Sequence, residues 1–172
     1  MIPFSHDGDA ITARLTTGEV AVLSSLTQQL IGMLAGRAVD PAGDVLYAQL
    51  GIGGASAPPL DPALARLLPD AYRDDAEAAS EHRQLTERGL VDRKIINARA
   101  VLSSLETGAV RLDPAGVQAW LRTLTDLRLT IAARLQIEDD GDEGIGDELT
   151  LEIYDWLGYL QGTLVDTIDP DS

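Results

Sequence analysis

Apolar residues recur along most of this chain at intervals of three and four, the spacing that draws one stripe along an α-helix. The first fifteen residues depart from it. Ile2 to Phe4, then the turn-forming run Ser5-His6-Asp7-Gly8-Asp9, then alternating Ile11, Ala13 and Leu15 predict a β-hairpin with one buried face. Thr16-Thr17-Gly18-Glu19 follows as a capping box, in which a threonine hydroxyl and a glutamate three residues on satisfy free backbone N–H groups at a helix start. The helix it opens carries Val20, Leu23, Leu26, Leu30, Ile31 and Leu34 on one stripe, with Gly36 as the expected stop.

Between 39 and 70 the chain is rich in Pro and Gly, and Pro41, Pro58, Pro59, Pro62 and Pro69 break any long regular element. Asp44 to Gln49 is read as a helical turn, and Asp61-Pro62, a cap before a first-turn proline, as the start of a short helix through Leu68. A long helical pattern runs from Asp74 to Leu105, with Val91, Ile95, Ala98, Leu102 and Leu105 on one face and Gly89 as a kink or break. Ala109 to Leu112 reads as a strand. Asp113-Pro114 caps a helix with the stripe Val117, Trp120, Leu121, Leu124, Leu127, Ile131 and Leu135. After an acidic loop, a last helix presents Leu149, Ile153, Trp156, Leu157, Leu160, Leu164 and Ile168, and Pro170 ends it. Ala13-Arg14-Leu15 ahead of one cap echoes Val110-Arg111-Leu112 ahead of another, so the two short strands are candidates to pair. The sum is a mainly α fold, a helical bundle of about five helices with a small N-terminal β-hairpin and one further short strand, in one domain over 1–172.

Composition then narrows the chemistry. There is no cysteine, so disulfides, thiolate catalysis and thiolate metal sites are excluded within these 172 residues. A net charge of −15, from 28 acids against 13 bases, repels a polyanion and disfavours DNA as a partner. No run reaches the roughly 18 apolar residues of a membrane helix, and Met1 to Asp7 lacks the order of a signal peptide, so a cytoplasmic protein away from the membrane is expected.

Candidate motifs fail on inspection. Around Glu138 to Glu148 the acids invite calcium, but a frame from Asp139 places Thr150 where a bidentate Glu is required, and a frame from Asp140 places Ile145 at the glycine. Gly51-Ile52-Gly53-Gly54-Ala55-Ser56 has Ser56 in place of the third glycine of a dinucleotide loop and reads as a linker. His6 and His82 lack metal-ligand spacing and are read as ordinary surface or boundary residues. No catalytic, cofactor or metal residue is therefore assigned. Gly158 and Gly162, four apart, leave room for a close approach to the last helix, either inside the fold or in a homodimer.

The most informative polar set lies on the long helix, where Arg83, Glu87 and Lys94 fall within about 40° of one another and border the apolar stripe. Charges beside buried surface need partners, and Asp126 and Arg128 on the Trp120 helix are the candidates. Arg88 and Arg99 lie on another face and read as solvated.

The stretches Asp61 to Tyr72, Arg83 to Glu87 and Trp120 to Leu129 together resemble an actinobacterial family long described as a domain of unknown function, with Thr125 standing where Asn is expected. Some of its members are called AosR-type oxidative-stress transcriptional regulators and are often encoded beside the protease adaptor ClpS. The resemblance covers nearly the whole chain. It implies a regulator acting through protein or DNA contacts, although a thiol switch has no counterpart in a chain without cysteine. Three readings follow: a non-enzymatic regulatory module, such as a transcriptional regulator, acting through protein or DNA contacts; a small-molecule binder or enzyme using Arg83, Glu87 and Lys94; and a structural homo-oligomer packing through the last helix.

Overall fold

The computed structural model describes residues 1–38, 57–70, 75–139, 142 and 144–169. Strands β1 (Ile2–Asp7) and β2 (Ala10–Arg14) pair antiparallel, with Asp7 opposite Ala10. The turn between them is therefore only Gly8-Asp9, with Gly8 at φ +62°, the glycine-first pattern of a two-residue hairpin. The expected five-residue turn from Ser5 is thus too long. Ser5 and His6 belong to β1, and His6, at the surface as expected, donates from Nε2 to the carbonyl of Thr167 at 2.8 Å.

Strand β3 (Ala109–Leu112) completes the sheet in the order β1-β2-β3. It pairs antiparallel with β2, placing Ala13 opposite Val110 and Ile11 opposite Leu112, so the two echoing segments are neighbours. At its entrance Gly108 has φ +69°, and a Cβ there would sit 3.0 Å from the Leu15 carbonyl oxygen, so a side chain would be strained and crowded against backbone.

Helix α1 (Thr17–Ala38) starts at the expected capping box: the Thr16 N–H donates to Glu19 Oε2 at 2.7 Å and the Glu19 N–H to Thr16 Oγ1 at 3.3 Å. Its buried face is Leu23, Thr27, Leu30 and Leu34, while Val20, Leu26 and Ile31 are half-buried. Gly36 is not its stop; the helix runs through it to Ala38. Helix α2 (Pro62–Leu67) follows the Asp61 cap, whose carboxylate accepts from the N–H groups of Ala63 and Leu64. Helix α3 (Ala76–Ser104) is continuous through Gly89, contrary to the expected break. Helix α4 (Pro114–Leu135) follows the Asp113 cap and ends where Gln136 turns left-handed at φ 57°. Helix α5 (Glu148–Ile168) starts at Asp147. Of its expected stripe, Leu157, Leu160 and Leu164 are buried, whereas Leu149 and Ile168, at its two ends, are exposed.

These five helices and three strands make the described residues mainly α. α4 is central: α1, α2, α3 and α5 all pack against it, and α1 also packs along α3. Trp120 on α4 is fully buried, meets Phe4 of β1 edge to face at 5.4 Å, and donates its ring N–H to Ser104 Oγ at 2.9 Å. The Thr167 hydroxyl also donates to the Phe4 carbonyl, so the last helix closes over the first strand. No helix among the described residues is long and apolar enough to cross a membrane.

Candidate functional site

Residues 83, 87, 91, 94 and 98 of α3 share the face turned toward α1 and α4, which places charged side chains at the core. Glu87 is the most enclosed, its side chain 4% exposed. It accepts from Arg37 Nε at 2.8 Å and Nη2 at 3.4 Å, and Arg83 Nε lies 3.8 Å from its other edge. Arg83 also pairs with Asp70, while Arg37 Nη2 donates to the Ala57 carbonyl. Two guanidiniums and two carboxylates thus balance. Such balance is what buried charge requires, because a lone carboxylate in this position would carry several kcal/mol of desolvation. The quartet holds both ends of the segment 57–70 against α1 and α3.

Lys94 belongs to a second cluster, two turns along α3. Its Nζ is 2.6 Å from Asp126 Oδ1, with side-chain exposures of 17% and 6%. Burial pushes the Asp126 carboxyl above its ordinary value, against the opposing hydrogen bond and charge of Lys94. Asp126 is thus the partner of Lys94.

Arg128 is elsewhere. Two residues past Asp126 is more than half a turn around α4, and the side chain faces α5. There its guanidinium carbon lies 5.1 Å from the centre of the Tyr154 ring, Nη1 donates to Gln161 Oε1 at 3.0 Å, and Nε has no hydrogen-bond partner among the described residues. A Cβ at Gly158 would meet three atoms of this guanidinium at 3.6–3.7 Å, ordinary contact distances, and one at Gly162 would meet nothing within 4 Å among the described residues. Gln161 in turn donates to Thr125 Oγ1.

The five residues grouped from sequence therefore fall into three places: Arg83 and Glu87 with Arg37 and Asp70, Lys94 with Asp126, and Arg128 with Tyr154 and Gln161. Arg37 and Asp70 escaped the sequence reading. Arg37 lies 50 residues from Glu87 and Asp70 lies 13 from Arg83, separations that carry no periodic signal.

The cavity beside Arg83 and Glu87 is about 70 Å³, room for a pair of waters rather than for a metabolite, which takes roughly 300 Å³ or more. Two larger clefts lie away from it. One, of about 460 Å³, lies between the hairpin and α4, where Arg111 already pairs with Asp7 and Asp113 caps α4. The other, of about 440 Å³, lies between the first turns of α1 and α5 and is lined by Val22, Leu149, Ile153 and Trp156. In the acidic loop, Asp142 accepts from the N–H groups of Asp139 and Glu138, which lowers its pKa. Asp140, Gly141 and Glu143, like the Asp44 to Gln49 turn and the Gly51 to Ser56 run, lie outside the described residues.

The oxidative stress regulator AosR of Mycobacterium tuberculosis is 32% identical over 181 residues, an alignment spanning 94% of this chain and 83% of that protein. The same identity and coverage are found for the oxidative stress regulator AosR of Mycobacterium bovis. The putative oxidative stress regulator AosR of Mycobacterium leprae is 34% identical over 167 residues, 86% of this chain and 77% of that protein. No solved structure matches. A family described as Domain of unknown function (DUF2017) matches residues 1–168, and the chain belongs to that family.

Proposed function

We propose that this chain is a non-enzymatic regulator in the response to oxidative stress, working in the cytoplasm through contacts with a protein partner. The observation that carries this reading is the similarity, along 94% of the chain, to proteins named oxidative stress regulators. Two physical arguments support the choice of protein over DNA and over catalysis. A net charge of −15 works against the phosphate contacts that dominate DNA affinity. The three inward-facing charges of α3 are each matched by a partner from another part of the fold: Glu87 by Arg37, Arg83 by Asp70, Lys94 by Asp126. In this reading 1–172 acts as one domain, because His6 and Thr167 tie the first strand to the last helix. With no cysteine among these 172 residues, a thiol that senses oxidant must lie outside them.

Deletion of the gene in its native host, followed by transcript profiling before and after peroxide, tests the regulatory role. The expected outcome is an altered set of peroxide-responsive transcripts, restored by the wild-type chain; an unchanged profile overturns it. A specific mobility shift of genomic fragments by the purified protein at about 150 mM salt with competitor present would replace the protein partner by DNA.

A further inference from the structure

The cleft between α1 and α5 joins two features. Its walls are apolar and reachable: Leu149 is 64% and Val22 36% exposed, with Ile153 and Trp156 half-buried beside them. Its rim is acidic, formed by Glu19 and Glu152. Glu19 is engaged by the Thr16 cap and by the N-terminal ammonium at 3.6 Å, so the uncommitted charge comes from α5. That helix and its C-cap carry Glu148, Glu152, Asp155, Asp166 and Asp169 and no lysine or arginine, and Glu148, Glu152 and Asp155 make no ion pair among the described residues.

The apolar flank continues along α1. Val22, Leu26 and Met33, with the polar Gln29 among them, recur at three and four residues on one side of the helix, and Leu26, Gln29 and Met33 line a second small depression with Leu127, Ile131 and Arg134. From Val22 to Met33 this flank measures about 16 Å, or three helical turns. Its length and shape suit a short helix laid in the groove on anchors spaced i, i+3/i+4 and i+7.

Charge decides between occupants. A second copy related by a two-fold axis would bring the same acidic rim and another −15 against this one, and a nucleic acid would bring phosphates. A segment with apolar residues on one side and lysines or arginines beside them fits both the floor and the rim. We propose that the flank of α1 and the first half of α5 form the docking groove for a basic amphipathic helix of a partner protein. This rests on the reading that the protein works through protein contacts, and specifies where and with what chemistry.

The test uses the full chain and a fluorescein-labelled helix-forming peptide of about 14 leucine and lysine residues in heptad order, with a leucine and glutamate counterpart. Fluorescence anisotropy is read for wild type, Leu149→Ser, the pair Val22→Ser with Leu149→Ser, Glu152→Lys, and Asp92→Lys on the outward face of α3, each checked for an unchanged melt. The expected result is saturable binding of the basic peptide only, weakened at least tenfold by the serine pair and by Glu152→Lys and less than twofold by Asp92→Lys. Equal loss with Asp92→Lys and none with the serine pair would mean adsorption by overall charge, and would overturn the proposal. So would sedimentation showing a dimer that Leu149→Ser dissolves, since a second copy would then cover the groove. Complementation separates this inference from the regulatory reading. If the wild type and the Glu152→Lys serine-pair variant restore the deletion strain equally, the groove is wrong and the regulator stands. If deletion changes no transcript while the peptide data hold, the groove stands and the regulator falls.

Discussion

Asp126 shows how a single charged side chain is tolerated in this core. Its carboxylate is almost sealed from water, and desolvation raises its pKa even with the Lys94 ammonium 2.6 Å away. A raised pKa in the folded state means that the ionised form is held less well there than in the unfolded chain. Its ionisation therefore detracts from stability above the folded pKa, and this cost disappears as pH falls through that value toward the unfolded one. Lys94 limits the cost. Replacing Lys94 by Met leaves a buried carboxylate without its cation, and about 3 kcal/mol of stability should be lost at pH 7, read from urea unfolding midpoints. The deficit should narrow as pH is lowered toward 5, because Asp126 can then take up a proton. Asp126→Asn should cost less, since the stranded ammonium, at 17% exposure, still reaches water. A deficit for Lys94→Met that is unchanged between pH 7 and 5 would show that the pair is not the source of the effect.

At the level of elements, the helix starts carry local chemistry that can be dismantled one group at a time. At α1, burial nudges the Glu19 carboxyl upward, but the Thr16 backbone N–H, its hydroxyl and the N-terminal ammonium outweigh it and hold the pKa below its ordinary 4.5. A lowered folded pKa contributes stability that is present above the unfolded value and lost as pH falls through the folded one. Thr16→Ala should therefore cost about 1 kcal/mol, and Glu19→Gln should lower the melting temperature at pH 7 by an amount that shrinks as the carboxylate is protonated on acidification. A gap that does not shrink as pH falls would assign the loss to something other than the carboxylate. Such punctuation was legible: Thr16 to Glu19, Asp61-Pro62 and Asp113-Pro114 each mark a helix start, and Ala109 to Leu112 is a strand. What failed was punctuation overruled from a distance. Gly36 does not stop α1 because the next residue, Arg37, is held in helical register by Glu87 and the Ala57 carbonyl. His6 leaves the expected turn for β1, where the carbonyl of Thr167, 161 residues away, receives its N–H.

Across the whole molecule, charge is divided between a neutralised interior and an unbalanced surface, and only the first was partly readable. The common face of Arg83, Glu87 and Lys94 followed from 100° per residue, but periodicity says nothing of which distant chain meets each of them. Hence Arg37 and Asp70 were missed, and Arg128, grouped with Asp126 by closeness in sequence, faces the other side of α4. The division also sets how stability answers to salt. The Debye length is about 10 Å at 0.1 M and about 3 Å at 1 M, so added salt screens the mutual repulsion of the excess surface carboxylates much more than contacts of 2.6–2.8 Å between largely buried groups. Acids crowd the surface of α5 without a single base on that helix, so the repulsion is local as well as global. Raising sodium chloride from 0.05 to about 0.5 M should therefore raise the melting temperature by several degrees, as repulsion weakens and the interior pairs persist. Sulfate would confound the result by strengthening apolar burial, so chloride is the salt to use. A fall in melting temperature would mean that exposed pairs such as Arg111 with Asp7, both more than 60% exposed, contribute more than the net charge of −15 takes away.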